Sequence, residues 1–345
     1  MISVSFLKDM SSETSILYFK ITFSILVFLY AILYKGNIYK DIKLLENFSL
    51  IFIFFNFILS FLPFAYQYWG HVYTFNGLYY FKTDAALAIV IFLSFILLSR
   101  SLNIKVKIIL ALISLYLVYL TNARIHILSI FLVIGLSVVN QSLFIDFKRK
   151  LLKYSLLGAF LFIGFMGVYN TFSEGGLKID ITGEDAYDSA NLQGRDKIWE
   201  ALIRGYNDGS SLEQLFGTTL LKDVNIVSLY STDTHNSHNS FLFFLIAIGI
   251  VGLLLFFYLT YIFLKRIIFY SKSFSKKNKS ENLYKIYIIL NLSLAHTAIF
   301  LISSLTNSNI LFQQQTWFFL FFTGYLFNSK FIHYVQASFS QMKLP

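Results

Sequence analysis

The sequence contains no cysteine, which excludes disulfides, thiolate metal sites and thiol nucleophiles. Proline is nearly absent as well: Pro63 and Pro345 are the only two, so few helices need to break. Charge is scarce. Only 13% of the 345 residues are Asp, Glu, Lys or Arg, where a soluble domain carries about 25%. With 57% hydrophobic residues there is too little polar surface to cover a water-soluble globule, so most of the chain must be solvated by lipid. Aromatic residues make up 19%, with 40 Phe and 23 Tyr. They suit lipid-facing helices and interfacial belts, where Tyr presents its polar tip to the headgroups.

A membrane span needs roughly 20 apolar residues. Runs that approach this length are Ile16–Tyr34, Phe48–Tyr66, Asp84–Ser99, Val106–Leu120, Ile125–Leu143, Leu151–Tyr169, Asn239–Leu264, Ile286–Leu305 and Thr316–Phe327. The first run is not followed by a small-residue cleavage site, so it reads as a retained span. The expected architecture is an all-α polytopic membrane protein of about 9–10 transmembrane helices, the tenth being a membrane-associated segment before Ile16. Three regions follow: helices one to six in 1–169, one large loop with an amphipathic helix in 170–238, and helices seven to nine with a tail in 239–345.

The net charge of +10 is not spread as a nucleic-acid-binding face would be. Of the 28 basic residues, 19 fall in alternate short loops, around Lys35–Lys43, Arg100–Lys107, Lys148–Lys153, Lys265–Lys285 and Lys330–Lys343. That alternation places those loops in the cytoplasm and the N-terminus outside. The long segment 170–238 then lies outside. It carries eleven acidic and five basic residues, and its acids, Asp185 and Asp188 among them, read as solvated surface. Within it, Ile198, Leu202 and Tyr206 fall on one face of a helix over Asp196–Tyr206. Ser271–Leu283 reads as a flexible polar loop.

Chemistry-bearing residues gather on that outer side. Arg124 ends Thr121-Asn122-Ala123-Arg124, in a tight hairpin between the fourth and fifth spans. A guanidinium at membrane depth is costly unless it meets an anion or water; the plainer reading is a snorkelling interfacial side chain. Gly194-Arg195-Asp196-Lys197-Ile198-Trp199 stands in the loop. Thr234-His235-Asn236-Ser237-His238-Asn239-Ser240-Phe241-Leu242 leads into a span with Gly249-Ile250-Val251-Gly252. His235 and His238, with Asp233 nearby, have the spacing of a metal pair, but no third ligand of the right kind is evident.

This ordered set resembles the bacterial O-antigen polymerase and O-antigen ligase superfamily (Wzy/WaaL-like). Its members carry a small-polar-Arg motif, a Gly-Arg-x-x-x-Trp motif and a His-Asn-Ser-x-Leu motif before a Gly-x-x-Gly span. This chain departs from it at Ala123, where Ser is common. It departs again at Phe216-Gly217-Thr218-Thr219, where Gly-x-Gly is frequent, and at Ala247-Ile248, where an acid often stands. The resemblance implies a GT-C-like membrane glycosyltransferase of the bacterial cytoplasmic (inner) membrane, with its active site facing the periplasm. The implied donor is an undecaprenyl-pyrophosphate-linked oligosaccharide, with no metal or other cofactor, and a chain-length regulator protein is the implied partner.

The chemistry suits the residues. Arg124 and Arg195 can grip a pyrophosphate leaving group bidentately as its charge develops, and His238 is the general base for the acceptor hydroxyl. His235, Lys82, Trp199 and Asn239 are the substrate-binding candidates. Lys82 reads more readily as a plain interfacial lysine than as a phosphate contact, and His296 more readily as a residue hydrogen-bonded to a neighbouring helix than as a proton relay. Trp69 and His71 read equally as sugar-stacking residues and as interfacial anchors. The polar runs 306–309 and 313–315 are candidates for an acceptor groove. Within the family, a repeat-unit polymerase is favoured over a ligase acting on lipid A core. From another class, a lipid-linked oligosaccharide flippase would place its polar groups at the midplane, and the spans here carry few.

Overall fold

The computed structural model describes residues 12–69, 72–98, 102–142, 195–218, 222–228, 239–273, 281–305 and 313–342. These hold twelve α-helices and one β-hairpin. The helices are α1 Ser12–Leu33, α2 Ile38–Leu59, α3 Lys82–Leu98, α4 Ile104–Leu120 and α5 Arg124–Ser142, followed by α6 Arg195–Asn207, α7 Ser211–Phe216 and α8 Lys222–Ser228. Then come α9 Ser240–Ser273, α10 Glu281–Ser304, α11 Gln313–Tyr325 and α12 Ser329–Met342. Ile38–Leu59, Ser240–Tyr270 and Lys285–Ser304 are long and apolar enough to cross a membrane, and Tyr18–Leu33 and Ile125–Ser137 are shorter apolar helices. The molecule is an all-α, multi-pass membrane protein. The expected span Leu151–Tyr169 lies outside the described residues.

The chain forms two compact units. The larger comprises Lys20–Lys148, Thr260–Ser303 and Asn309–Pro345; the smaller comprises Met1–Phe19, Arg149–Leu259 and Ser304–Ser308. At the centre of the larger unit stands α3. It is apolar on every side, the pattern of a helix enclosed by others, and thirteen of its residues from Ala85 to Leu98 are buried. Helices α2, α4, α5 and α11 pack around it. Ala85, Ala86 and Ala88 keep its first turns slim. At its other end the orphan carbonyl of Leu97 accepts from Lys107 Nζ at 3.0 Å and from Ser137 Oγ at 3.0 Å, which meets the demand of a buried helix terminus. Asn328 does the same for α1, its Nδ2 donating to the carbonyls of Ala31, Ile32 and Tyr34 at 2.9–3.1 Å.

The second span is displaced from its expected limits, Phe48–Tyr66. Its helix starts at Ile38, because Asn37 Oδ1 accepts from the backbone N–H groups of Tyr39 and Lys40. The charged residues that follow reduce hydropathy without ending a helix. It stops at Leu59, before Pro63 opens a 3₁₀ turn and the antiparallel strands β1 Tyr66–Trp69 and β2 Val72–Phe75. Ser271–Leu283, expected as a loop, is helical up to Ser273 and again from Glu281. The tail after the last span is helical too. In α12, Phe331 and Val335 are buried one turn apart, while Lys330, His333 and Tyr334 are exposed.

Candidate functional site

Three of the basic residues marked by the sequence occupy the same kind of position. Lys82 opens α3, Arg124 opens α5 and Arg195 opens α6. A helix N-terminus carries unpaired N–H groups and a partial positive charge, so acidic residues are favoured there by about 0.3–1 kcal/mol and cations are disfavoured. Cations in that place work against helix stability and in favour of an anionic ligand. Asp84 offsets part of this cost in α3.

In the larger unit, Arg124 follows a turn closed by local hydrogen bonds. Asn122 adopts φ 54°, a left-handed conformation that asparagine tolerates better than most residues. The Thr121 hydroxyl donates to the Val118 carbonyl at 2.7 Å and accepts from the Ala123 N–H at 3.2 Å. Ala123, at the position where the resembling family has serine, is buried in the apolar core. Two residues beyond Arg124, His126 is fully buried, and neither ring nitrogen has a hydrogen-bond partner among the described residues. His296, in α10 of the same unit, lies 3.3 Å from Ser94 Oγ and stacks on Phe318 and Phe322. Its contact is with a neighbouring helix.

In the smaller unit the second and third motifs converge. Ile198, Ala201 and Leu202 of α6 are buried with Ile226 and Val227 of α8 and Ile246 of α9, and Trp199, Tyr206 and Leu242 pack against that cluster. Trp199 of the Gly-Arg motif and Leu242 of the His-Asn-Ser motif thus rest on one core. The approach is close: a Cβ on Gly205 would fall 2.7 Å from Ile226 Cδ1. Next to α6, Ser210 and Glu213 form a reciprocal cap on α7. The Ser210 backbone N–H, donating to Glu213 Oε2 at 2.9 Å, holds the Glu213 carboxyl below its usual range, with help from the Ser210 hydroxyl.

Asn239 has a defined structural task. Its Oδ1 accepts from the N–H groups of Phe241 at 2.9 Å and Leu242 at 3.1 Å, capping α9. Its Nδ2 donates to the Leu305 carbonyl at 3.2 Å. His235, His238 and Asp233 lie outside the described residues, as do Gly194 and the acids Asp185 and Asp188. Among the loop acids that are described, Asp223 is 3% exposed, so solvation does not explain every acid of this segment. Nothing in the hydropathy pattern marks it.

The sequence did not disclose how the loop is fastened to the span. Gly249 interrupts α9 with φ 70° and ψ −178°, and Gly217 has φ 79° and ψ 177°. Both values lie in a region essentially restricted to glycine. The two backbones touch: a Cβ on Gly217 would fall 2.3 Å from the Ala247 oxygen, and one on Gly249 would fall 2.4 Å from the Leu215 carbonyl. In an unbroken helix the Ile246 carbonyl would accept from residue 250. Here it accepts from the Thr218 N–H at 3.1 Å and the Thr218 hydroxyl at 3.3 Å. The loop therefore hydrogen-bonds the broken turn of the span.

A multi-pass helical membrane protein with an ordered Arg, Gly-Arg-Trp and His-Asn-Ser set is the class these features define. Residues 109–257 match the O-antigen ligase family, Wzy_C, in agreement with the O-antigen polymerase and ligase superfamily. The matched region contains Arg124, Arg195, Trp199, His235, His238, Asn239 and both contacting glycines; Lys82 lies before it. No curated protein matches the chain. The family supports a polymerase- or ligase-type activity, that of a glycosyltransferase-like or ligase enzyme.

Proposed function

We propose that this protein is a surface-glycan repeat-unit polymerase of the cytoplasmic membrane. The observation that carries the proposal is the position of Arg124 and Arg195, each opening a helix at the end whose N–H groups and dipole favour an anion. A polyprenyl pyrophosphate is such an anion. In the reaction, the acceptor hydroxyl of one lipid-linked unit attacks the anomeric carbon of another. The new carbon–oxygen bond forms as the bond to the pyrophosphate oxygen breaks, and that oxygen keeps the electron pair. His238 takes the hydroxyl proton, and the guanidiniums of Arg124 and Arg195 stabilise the departing phosphate charge. Trp199, held by the α6–α8–α9 core, supports the position of Arg195 on the same helix.

The name of the matched family favours a second reading, a ligase that moves finished chains onto lipid A core. A gel of the surface glycan from the native host, with and without this gene, separates the two. Loss of long chains with a single repeat left on the core indicates the polymerase; a core with no repeat indicates the ligase. An unchanged ladder overturns both. Replacing His238 by Ala should slow chain extension by roughly 10²–10⁴-fold at normal membrane expression; unchanged chain lengths would remove His238 from the reaction.

A further inference from the structure

Between Glu46 and Lys82 the chain has no Asp, Glu, Lys or Arg. The stretch covers most of α2 and all of the connection to α3. A connection in water would be expected to carry charge, yet this one has ten aromatic residues between positions 60 and 81. The hairpin concentrates some of them on one face. Its register pairs Tyr66 with Phe75 and Tyr68 with Tyr73, and cross-strand partners share a face. That face is entirely aromatic. It runs from Phe75, fully buried, through half-buried Tyr66 to Tyr68, which is 70% exposed.

The rings are held rigidly. Tyr66 Oη donates to the Ser60 carbonyl at 2.7 Å, Tyr73 Oη donates to the Pro63 carbonyl at 2.9 Å, and the Tyr68 and Tyr73 centroids are 4.8 Å apart. On the opposite face Gln67 pairs with Thr74 and Trp69 with Val72, and Asn76 Nδ2 donates to Gln67 Oε1 at 3.0 Å. The exposed aromatic surface is continuous along the chain with the apolar outer side of the span, through Phe54, Ile58, Phe61 and Phe64.

Two opposing costs fix the depth of such an element. Water is unfavourable for an uncharged, aromatic, two-stranded hairpin, which is marginal on its own. The hydrocarbon core is unfavourable too, because the outer edges of two strands leave N–H and C=O groups unpaired, at several kcal/mol each in lipid. The headgroup layer satisfies both, supplying water to the edges and an apolar boundary to the rings. We propose that the 60–81 connection is an interfacial anchor. In this arrangement Tyr68, Tyr80 and Phe64 lie in the headgroup layer of the leaflet opposite the lysine-rich ends, and the occupant of the aromatic face is the lipid surface itself. The inference rests on the membrane fold and not on the glycan chemistry.

The absence of cysteine makes the test direct. Tyr68→Cys and, separately, Tyr80→Cys are nitroxide-labelled in the full chain reconstituted into phosphatidylethanolamine–phosphatidylglycerol vesicles. Power saturation then compares access of oxygen with access of a water-soluble nickel chelate. Phe54→Cys on the outer side of α2 supplies the lipid reference and Ser211→Cys the loop reference. Both hairpin-region labels should give an oxygen-to-nickel ratio between the two references. A ratio equal to that at 211 overturns the proposal, leaving the aromatic face for a water-borne partner such as a saccharide. A ratio equal to that at 54 overturns it in the other direction, placing the hairpin in the hydrocarbon. Using two sites keeps the result readable if one variant does not fold.

Discussion

Asn239 is the residue at which motif and structure give different tasks to one side chain. It stands inside the His-Asn-Ser motif and invites assignment to substrate, but its Oδ1 caps α9 and its Nδ2 reaches the Leu305 carbonyl. The capping signal was present in the sequence, since a small polar residue immediately precedes a long apolar run. Replacing Asn239 by Ala should cost about 1 kcal/mol and lower the thermal midpoint of the purified protein. Asn239→Asp or Asn239→Ser should recover most of that stability, losing only the tie to Leu305. Long glycan chains should return with it if capping is the residue's main task. A stable Asn239→Ser variant that still makes only short chains would show that the amide also binds glycan. The helix-opening positions of Lys82, Arg124 and Arg195 were less legible, because hydropathy locates spans to within a few residues and a first turn is defined more finely than that.

Among elements, the spans were readable because apolar length is a coarse and robust signal, and the α6 face was readable because Ile198, Leu202 and Tyr206 repeat at helical spacing. The break at Gly249 was not. Hydropathy records that Gly249 and its neighbours are apolar and says nothing about dihedral angles, and the partner, Gly217, is 32 positions away. The break makes a specific prediction. Gly249→Ala places a Cβ 2.4 Å from the Leu215 carbonyl in a glycine-only conformation, where backbone strain alone costs on the order of 1–3 kcal/mol. The α7–α9 contact should open, and limited proteolysis should cut 208–222 faster than in the parent protein. Gly135→Ala is the matched control. It also adds a methyl to an apolar helix, but its Cβ meets nothing within 4 Å, so it should be neutral or stabilise by up to roughly 1 kcal/mol. Equal proteolysis in both variants would mean that the glycine contact does not hold the loop.

At the scale of the whole molecule, the side of the membrane on which the loop lies depends on the one expected span outside the described residues, 151–169. If it crosses, segment 170–238 lies opposite the lysine-rich ends, and the seven basic residues from Lys265 to Lys285 join those at 35–43, 100–107 and 148–153 on one side. If it does not cross, the loop moves to the side of Lys148–Lys153, and α9 carries Lys265–Lys285 to the other side. The charge alternation would then be broken at its most basic segment. The positive-inside tendency therefore favours a sixth crossing without any appeal to the motifs. Lys43→Cys, Lys277→Cys and Ser211→Cys, each the single cysteine of its chain, make this measurable with a membrane-impermeant maleimide on spheroplasts. Position 211 should react in intact cells, whereas 43 and 277 should react only after lysis. Labelling of 211 only after lysis, as at 43, would place Arg195 and His238 in the cytoplasm and defeat the proposed polymerase, even with every contact of the smaller unit intact.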